Sequence, residues 1–176
     1  MNILIVGGGL QALSVARSLK KERYSVIALL HRGDISTKSK YIDELYTIDI
    51  TPTYKKEYLS SVHRVLQVHA ISVIIPLSDV TAEFLSIHKV NLEHEYHLKC
   101  AIPNYDIFQK ANDKWQLMDL CKENFIPHPR TQLLTSSNLQ EAAGAIGFPA
   151  LIKPNISVGA RGITMVCSLS DLQDKY

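Results

Sequence analysis

No apolar run in the 176 residues approaches the roughly 18 residues of a membrane-spanning helix, so no helical span is expected. There is no basic block either. The 19 Lys and Arg are nearly balanced by 17 Asp and Glu, for a net charge of +2. That leaves no electrostatic footprint for non-specific nucleic-acid binding. Cysteine is scarce: Cys100, Cys121 and Cys167 lie far apart, with no C-x-x-C. Buried, reduced thiols in a cytoplasmic protein are expected, and Cys167, just past an apolar run, reads as a packing residue. The opening residues carry no basic leader and run straight into glycines, so they do not read as a signal peptide. Internal repeats and low-complexity tracts are missing. A metal site is not suggested. Glu93-His94-Glu95-Tyr96-His97 has H-E-x-H spacing without a third ligand nearby, and is expected to be a solvated surface patch. His31, His63, His69, His88 and His128 form no constellation.

What is present is ample material for a core, with 46% hydrophobic residues and 20% charged. Residues 2–6 are an apolar run of strand length, followed by Gly7-Gly8-Gly9-Leu10-Gln11-Ala12. Ala12, Val15, Ala16 and Leu19 then share one helical face. Residues 25–30 predict a second strand. This β-α-β opening with a G-x-G-x-x-A turn matches the dinucleotide fingerprint. An NAD site also wants an acid at the end of the second strand. Here Leu30-His31-Arg32 stands there and Asp34 comes late, whereas an Arg suits the extra phosphate of NADP. A tight strand-to-helix turn needs glycine whether or not a cofactor binds.

A short strand is expected near residues 46–48, a turn and helix start at Thr51-Pro52-Thr53, and a helix with Tyr58, Val62, Val65 and Leu66 on its apolar face. Residues 71–75 predict a buried strand stopped by Pro76, and Ser78 can cap a helix over 79–89. Alternating strands and helices imply a parallel sheet covered on both faces, with ligands beyond the carboxyl ends of its strands. Gly8, Gly9, His31, Arg32 and Asp79 fall on that rim. Asp79 reads either as part of a helix cap or as a partner for a substrate ammonium.

Residues 99–103 read as the last strand of a first domain, and a connector helix starts at 104–106. Asn112 or Asp113 can cap a helix with Leu117, Leu120 and Cys121 on its apolar face, ended by Ile126-Pro127-His128-Pro129. Residues 130–134 predict a strand. Ser137-Asn138-Leu139-Gln140 has the pattern of a capping box, and Gly147 is a helix stop. Then comes Phe148-Pro149-Ala150-Leu151-Ile152-Lys153-Pro154, a loop, and an apolar run over 163–166. Ser170 is placed to cap a final helical segment.

The loop Asn155-Ile156-Ser157-Val158-Gly159-Ala160-Arg161-Gly162 holds two glycines and an Arg but no acid. A Lys at a strand end facing such a loop suits an anionic ligand, because glycine lets backbone N–H groups approach closely. On these residues the chain resembles the ATP-grasp superfamily, whose nucleotide-gripping hairpin has a phosphate-binding Lys and a glycine-rich flap. The upstream Asn112-Asp113-Lys114, helix and Ile-Pro-x-Pro are similar to a second feature of that family. Within it the chain resembles carbamoyl-phosphate-synthase-like ligases and the ligase of pyrrolysine biosynthesis, the latter in its GG-turn opening and its Ser157-to-Arg161 loop.

The resemblance implies an α/β fold: a Rossmann-like pre-ATP-grasp domain with a parallel sheet over 1–103, a connector helix over 104–112, and the first α+β subdomain of an ATP-grasp domain over 113–176, incomplete and truncated. It implies an ATP-dependent carboxylate–amine ligase working through an acyl phosphate, inactive as this fragment. Lys114, Lys153, Ser157, Gly159, Arg161 and Gly162 are the implied nucleotide contacts, and Ile152 the packing partner of the adenine. Gly8, Gly9 and Asp79 are weaker substrate candidates. ATP and Mg²⁺ are the implied cofactors, with the metal ligands and the catalytic residues outside this chain. Small carboxylate and amine substrates are the implied partners, with a homodimer possible and neither nucleic acid nor membrane involved. Two alternatives stay open: an NADP-dependent reductase using the Gly7-to-Gly9 turn, and a nucleotide-binding subunit or regulatory module.

Overall fold

The computed structural model describes residues 1–52, 55–157 and 159–176. The chain divides into two compact units, Met1–Phe108 and Gln109–Tyr176. In the first unit β1 (Asn2–Val6), β2 (Ser25–His31), β3 (Glu44–Ile48), β4 (Ile71–Pro76) and β5 (Lys99–Cys100) form one sheet in the order β3-β2-β1-β4-β5. Every pairing is parallel. The apolar runs of β1 and β2 are nearly unbroken because both faces of the sheet are buried. Leu4, Val6, Ile27 and Leu29 point into a core shared with Tyr58, Val62 and Val65 of α2 (Lys55–Val68) and Phe84, Leu85 and Leu92 of α3 (Asp79–Tyr96). Ile5, Val26, Ala28 and Leu30 point the other way, against Ala12 and Ala16 of α1 (Gly9–Lys21). Small residues on α1 let that helix lie close to the sheet.

The carboxyl ends of the strands share a rim, with Val6 opposite both Leu29 and Pro76. The ladder runs on past β1 through Gly7 N to Leu29 O at 3.1 Å and Leu77 N to Val6 O at 2.9 Å. A 3-10 turn, Ile35–Lys38, follows β2, and β3 starts two residues earlier than its sequence suggests. The turn and helix start expected at Thr51-Pro52-Thr53 runs into residues outside those described.

Ser78 caps α3 as expected: its Oγ accepts from Thr81 N, and Thr81 Oγ1 accepts from Ser78 N. The helix, however, continues to Tyr96 instead of ending near 89. Buried Leu92 and the Lys89–Glu93 pair, 2.6 Å apart one turn on, carry it forward until His97 adopts a left-handed φ of 53°. Glu93 is thus no part of a solvated patch. Its Oε1 also accepts from Cys100 N at 2.9 Å, and Lys89 Nζ donates to Cys100 O at 3.1 Å, so this pair clamps edge strand β5 onto α3. Cys100 is buried, and that burial pushes its thiol up to about 11. Cys167 is exposed, contrary to the packing role expected for it, because it lies beyond the last paired residue of its strand.

In the second unit α5 (Lys114–Glu123) follows α4 (Tyr105–Asn112), a helix that begins in the first unit and runs across the division. α6 (Leu139–Ile146) leads through Gly147 to the hairpin β6 (Ala150–Ile152) and β7 (Thr164–Val166), and α7 (Leu169–Lys175) follows. Four local expectations are corrected. Residues 130–134 form no strand, since β6 and β7 pair only with each other among the described residues and Pro127 and Pro129 lack ladder donors. The capping box at 137–140 does not form. Asn138 precedes α6, but its side chain turns back to accept from Thr135 N at 2.8 Å and donate to Leu133 O at 2.9 Å, bracing the preceding turn. The last helix is capped by Ser168, not Ser170, with Ser168 Oγ accepting from Asp171 N and Asp171 accepting from Cys167 N. Leu120, placed on the apolar face of α5, is exposed, whereas Trp115 and Met118 are half-buried.

Glu93 gives the first unit an acid sensitivity. Burial works to raise its pKa, but hydrogen bonds from Lys89 and Cys100 N outweigh it and hold the carboxyl below its ordinary value of 4.5. A depressed folded-state pKa adds stability above the unfolded value, and that stability is lost as pH falls through the folded value. We expect thermal melts to show the wild type losing stability below about pH 4.5, the ordinary Glu value. Glu93→Gln should lower the melting point at pH 7 and flatten that acid limb. An acid limb of unchanged slope in the variant would show that the clamp carries no charge-dependent stability.

Candidate functional site

The second unit contains a cavity of about 500 Å³. Its wall is built by α5, the stretch after Pro129, α6 and the β6–β7 hairpin, together with Leu172. Lys114, Arg130 and Lys153 line it, and no Asp or Glu does. The remaining wall is largely apolar, including Trp115, Met118, Leu133, Leu151 and Ile152. Three cations at an apolar pocket with no acid among its lining suit a ligand with an anionic end and an apolar body.

Each cation owes its place to local structure. Asp113 caps α5 by accepting from Trp115 N at 2.9 Å and Gln116 N at 3.0 Å, which starts the helix at Lys114. Lys114 N donates to Asn155 O at 2.9 Å and ties the start of α5 to the hairpin loop. Its ammonium donates to Ser157 Oγ at 3.0 Å, with Ser157 O and Asn155 O each 3.4 Å away. Those three neutral oxygens surround the charge as phosphate oxygens would. Lys153 lies where β6 stops at Pro154, an exposed position. Period-two alternation puts it on the same side of the chain as Leu151. Leu151 pairs with Met165 across the hairpin, and the two are 55% and 59% exposed, so this small sheet presents an open apolar face. Ile152, half-buried, alternates to the other side and also lines the cavity.

The loop beyond Ser157 passes through Val158, outside the described residues. Gly159, Ala160 and Gly162 all have left-handed φ, of 61°, 62° and 72°. A Cβ on Gly162 would meet Pro154 Cγ at 2.7 Å, so the return of the loop needs glycine there. Gly159, Arg161 and Gly162 are not among the residues lining the cavity. The structure therefore brings together Lys114, Lys153 and Ile152, with Ser157 held on Lys114, and leaves the tip of the loop apart. Arg130, Trp115, Met118 and Asn155 were not singled out from sequence. For Arg130 the only available signal was its following the Ile-Pro-x-Pro stretch.

Gly8, Gly9 and Asp79 belong to the first unit. Gly9 N donates to both oxygens of Asp34, at 3.0 and 2.9 Å. Asp79 is exposed in the first turn of α3, behind the Ser78 cap. Among the described residues no group of three His, Cys, Asp or Glu side chains converges to hold a metal ion, and the cavity offers no carboxylate. The side chains present do not fit a Mg²⁺ site. Nor, among the described residues, is any helix long and apolar enough to cross a membrane.

No protein-family model matches the chain. Two curated proteins are similar to it. The D-aspartate ligase of Enterococcus faecium (strain Aus0004) is 23% identical over 167 residues, covering 88% of this chain and 38% of the relative. The arginine-specific large chain of carbamoyl phosphate synthase from Geobacillus stearothermophilus is 27% identical over 158 residues, covering 88% of this chain and 14% of the relative. Among solved structures, the biotin carboxylase domain of Hydrogenobacter thermophilus 2-oxoglutarate carboxylase, a dimer in complex with MgADP, ADP and bicarbonate, superimposes with a TM-score of 0.75 at 20% identity. That match covers 97% of this chain and 38% of the other. The fold is that of the N-terminal part of those ATP-grasp structures, a unit with a parallel five-stranded sheet followed by a smaller α+β unit. In its curated relatives and in its fold the chain is similar to ATP-grasp carboxylate–amine ligases. It spans well under half the length of the relatives it matches.

The Lys114–Ser157 contact predicts how the loop is held. Lys114→Met keeps the helix but loses the ammonium, and should speed tryptic cleavage after exposed Arg161 several-fold. Ser157→Ala should do so less, since two carbonyl acceptors remain. Equal cleavage rates in the wild type and Lys114→Met would show that the ammonium does not restrain the loop.

Proposed function

We propose that this chain is the N-terminal portion of an ATP-dependent carboxylate–amine ligase and contributes the first half of its ATP site. The observation that carries the reading is the convergence of Lys114 and Lys153, with Arg130, on one acid-free cavity beside an open apolar strand face. Lys114 and Lys153 are assigned to the phosphates, and Arg130 joins them. The face of Leu151 and Met165, with Ile152 behind it, is assigned to the base. Residues 157–162 are assigned as the flap, turning at Gly159 and Gly162, with Arg161 carried toward the phosphates when it closes. Residues 1–103 take the part of the pre-ATP-grasp domain, 104–112 the connector and 113–176 the first section of the grasp domain, with Gly8, Gly9 and Asp79 on the substrate-facing rim.

The reaction that follows from this class has two steps. A carboxylate oxygen attacks the γ-phosphorus of ATP, the bond to the bridging oxygen breaks, and ADP leaves with that electron pair. An amine nitrogen then attacks the acyl carbon. The C–O bond to phosphate breaks, inorganic phosphate departs, and the nitrogen loses a proton to give the amide. Both steps are accelerated by positioning and by neutralising charge on the transferred group. Mg²⁺ would supply part of that neutralisation. Its ligands are assigned outside this chain, as are the catalytic residues. A homodimer and a cytoplasmic setting complete the proposal, the first supported by the dimeric 2-oxoglutarate carboxylase domain.

Calorimetric titration with ATP tests the reading. The chain should bind ATP weakly and show no enzyme-like hydrolysis with Mg²⁺, since exposed charge pairs contribute only about 1 kcal/mol each in water. Lys153→Ala should weaken that binding about fivefold, the effect of about 1 kcal/mol. Unchanged binding in Lys153→Ala, or hydrolysis by the wild-type chain at enzyme-like rates, would overturn the assignment.

A further inference from the structure

The turn after β1 has the form of a phosphate cradle, and it is already filled. The first amides of a helix have no partner within it and attract anions. At α1 that partner is internal: Gly9 N donates to both Asp34 oxygens, at 3.0 and 2.9 Å. Asp34 Oδ1 accepts from Ser36 N at 2.8 Å as well, and from the Ser36 hydroxyl. The carboxylate lies so close over the turn that a Cβ on Gly8 would fall 2.1 Å from Asp34 Oδ2. A phosphate oxygen reaching the Gly9 amide would need the same space and would bring two negative charges together.

The carboxylate is not free to swing aside. Asp34 is the cap of the 3-10 turn Ile35–Lys38, and its partner Ser36 is fully buried. Burial works to raise the Asp34 pKa, but hydrogen bonds from Ser36 and Gly9, helped by His31, outweigh it and hold the carboxyl below its ordinary value of 3.8. A second observation points the same way. Arg32, the side chain placed to meet a 2′-phosphate, is paired with Asp49 at 2.9 Å.

We infer that Asp34 is a specificity-determining residue of the first unit: its carboxylate stands in for a ligand phosphate and closes the glycine turn to anions. The G-x-G-x-x-A sequence then serves as a joint between α1 and the loop after β2. This inference does not depend on the nucleotide reading of the second unit.

The test is an NMR titration of the Gly8 and Gly9 amides in the whole chain, with inorganic phosphate and, separately, NADPH. In the wild type neither probe should move them. Asp34→Asn keeps the size and one acceptor but loses the charge, and Asp34→Ala also clears the space. Both should let phosphate shift the Gly9 amide, with affinity raised at least about tenfold over the wild-type limit. Amide dispersion reports whether each variant is folded, and Asp34→Asn decides if Asp34→Ala is not. Wild-type binding of phosphate or NADPH at Gly9, or a folded Asp34→Asn as indifferent to phosphate as the wild type, would overturn the inference.

Discussion

Strand β1 carries the first unit. It is hydrogen-bonded along both edges, to β2 and β4, and its side chains are buried on both faces. A strand without a free edge or a wet face tolerates almost no register error, because a slip of one residue would exchange the residues meeting α2 and α3 for those meeting α1. With β1 fixed, the carboxyl ends of β1, β2 and β4 fall on one rim. The glycine turn, the loop carrying Asp34 and the Ser78 cap are then held close together. The contact between Asp34 and Gly9 is a consequence of that alignment, between residues 25 positions apart in sequence.

The second unit is held differently. Its two-stranded sheet is small, few of its side chains are fully buried, and much of its order comes from polar ties. Asp113 starts α5, Asn138 braces the turn before α6, Ser168 and Asp171 start α7, and Lys114 reaches from α5 to the hairpin loop. Ties of this kind are each modest in strength and exchange easily for a ligand's own groups. The phosphate role proposed for Lys114 would require its ammonium to exchange Ser157 and two carbonyls for an anion. The unit also leaves Leu151, Met165, Ile156 and Phe125 exposed, which a densely packed core would not.

The two units make different use of glycine and charge. At Gly9 the positive end of a helix is satisfied by the chain's own carboxylate. At Lys114, among the described residues, a cation is met by neutral oxygens, in a cavity lined by no acid.

Much of the fold was legible in the residues. Continuous apolar runs separated by helical stripes required a two-faced parallel sheet, and Ser78, Asp113 and Gly147 marked helix ends through chemistry local to each turn. The Asn112-Asp113-Lys114 and Phe148-to-Gly162 patterns named residues that the structure does bring to one cavity: Lys114, Lys153 and Ile152. Local signals failed where a distant partner intervened. Helix α3 outran its expected end because Glu93 found Cys100, the 137–140 capping pattern was overruled when Asn138 turned back to Leu133 and Thr135, and residues 130–134 had strand composition but no strand to pair with. The presence of Arg130 in the cavity and of Asp34 over Gly8 and Gly9 was decided only by tertiary structure. Sequence carries periodicity and local hydrogen-bonding preference, whereas the meeting of side chains far apart along the chain depends on how its elements pack.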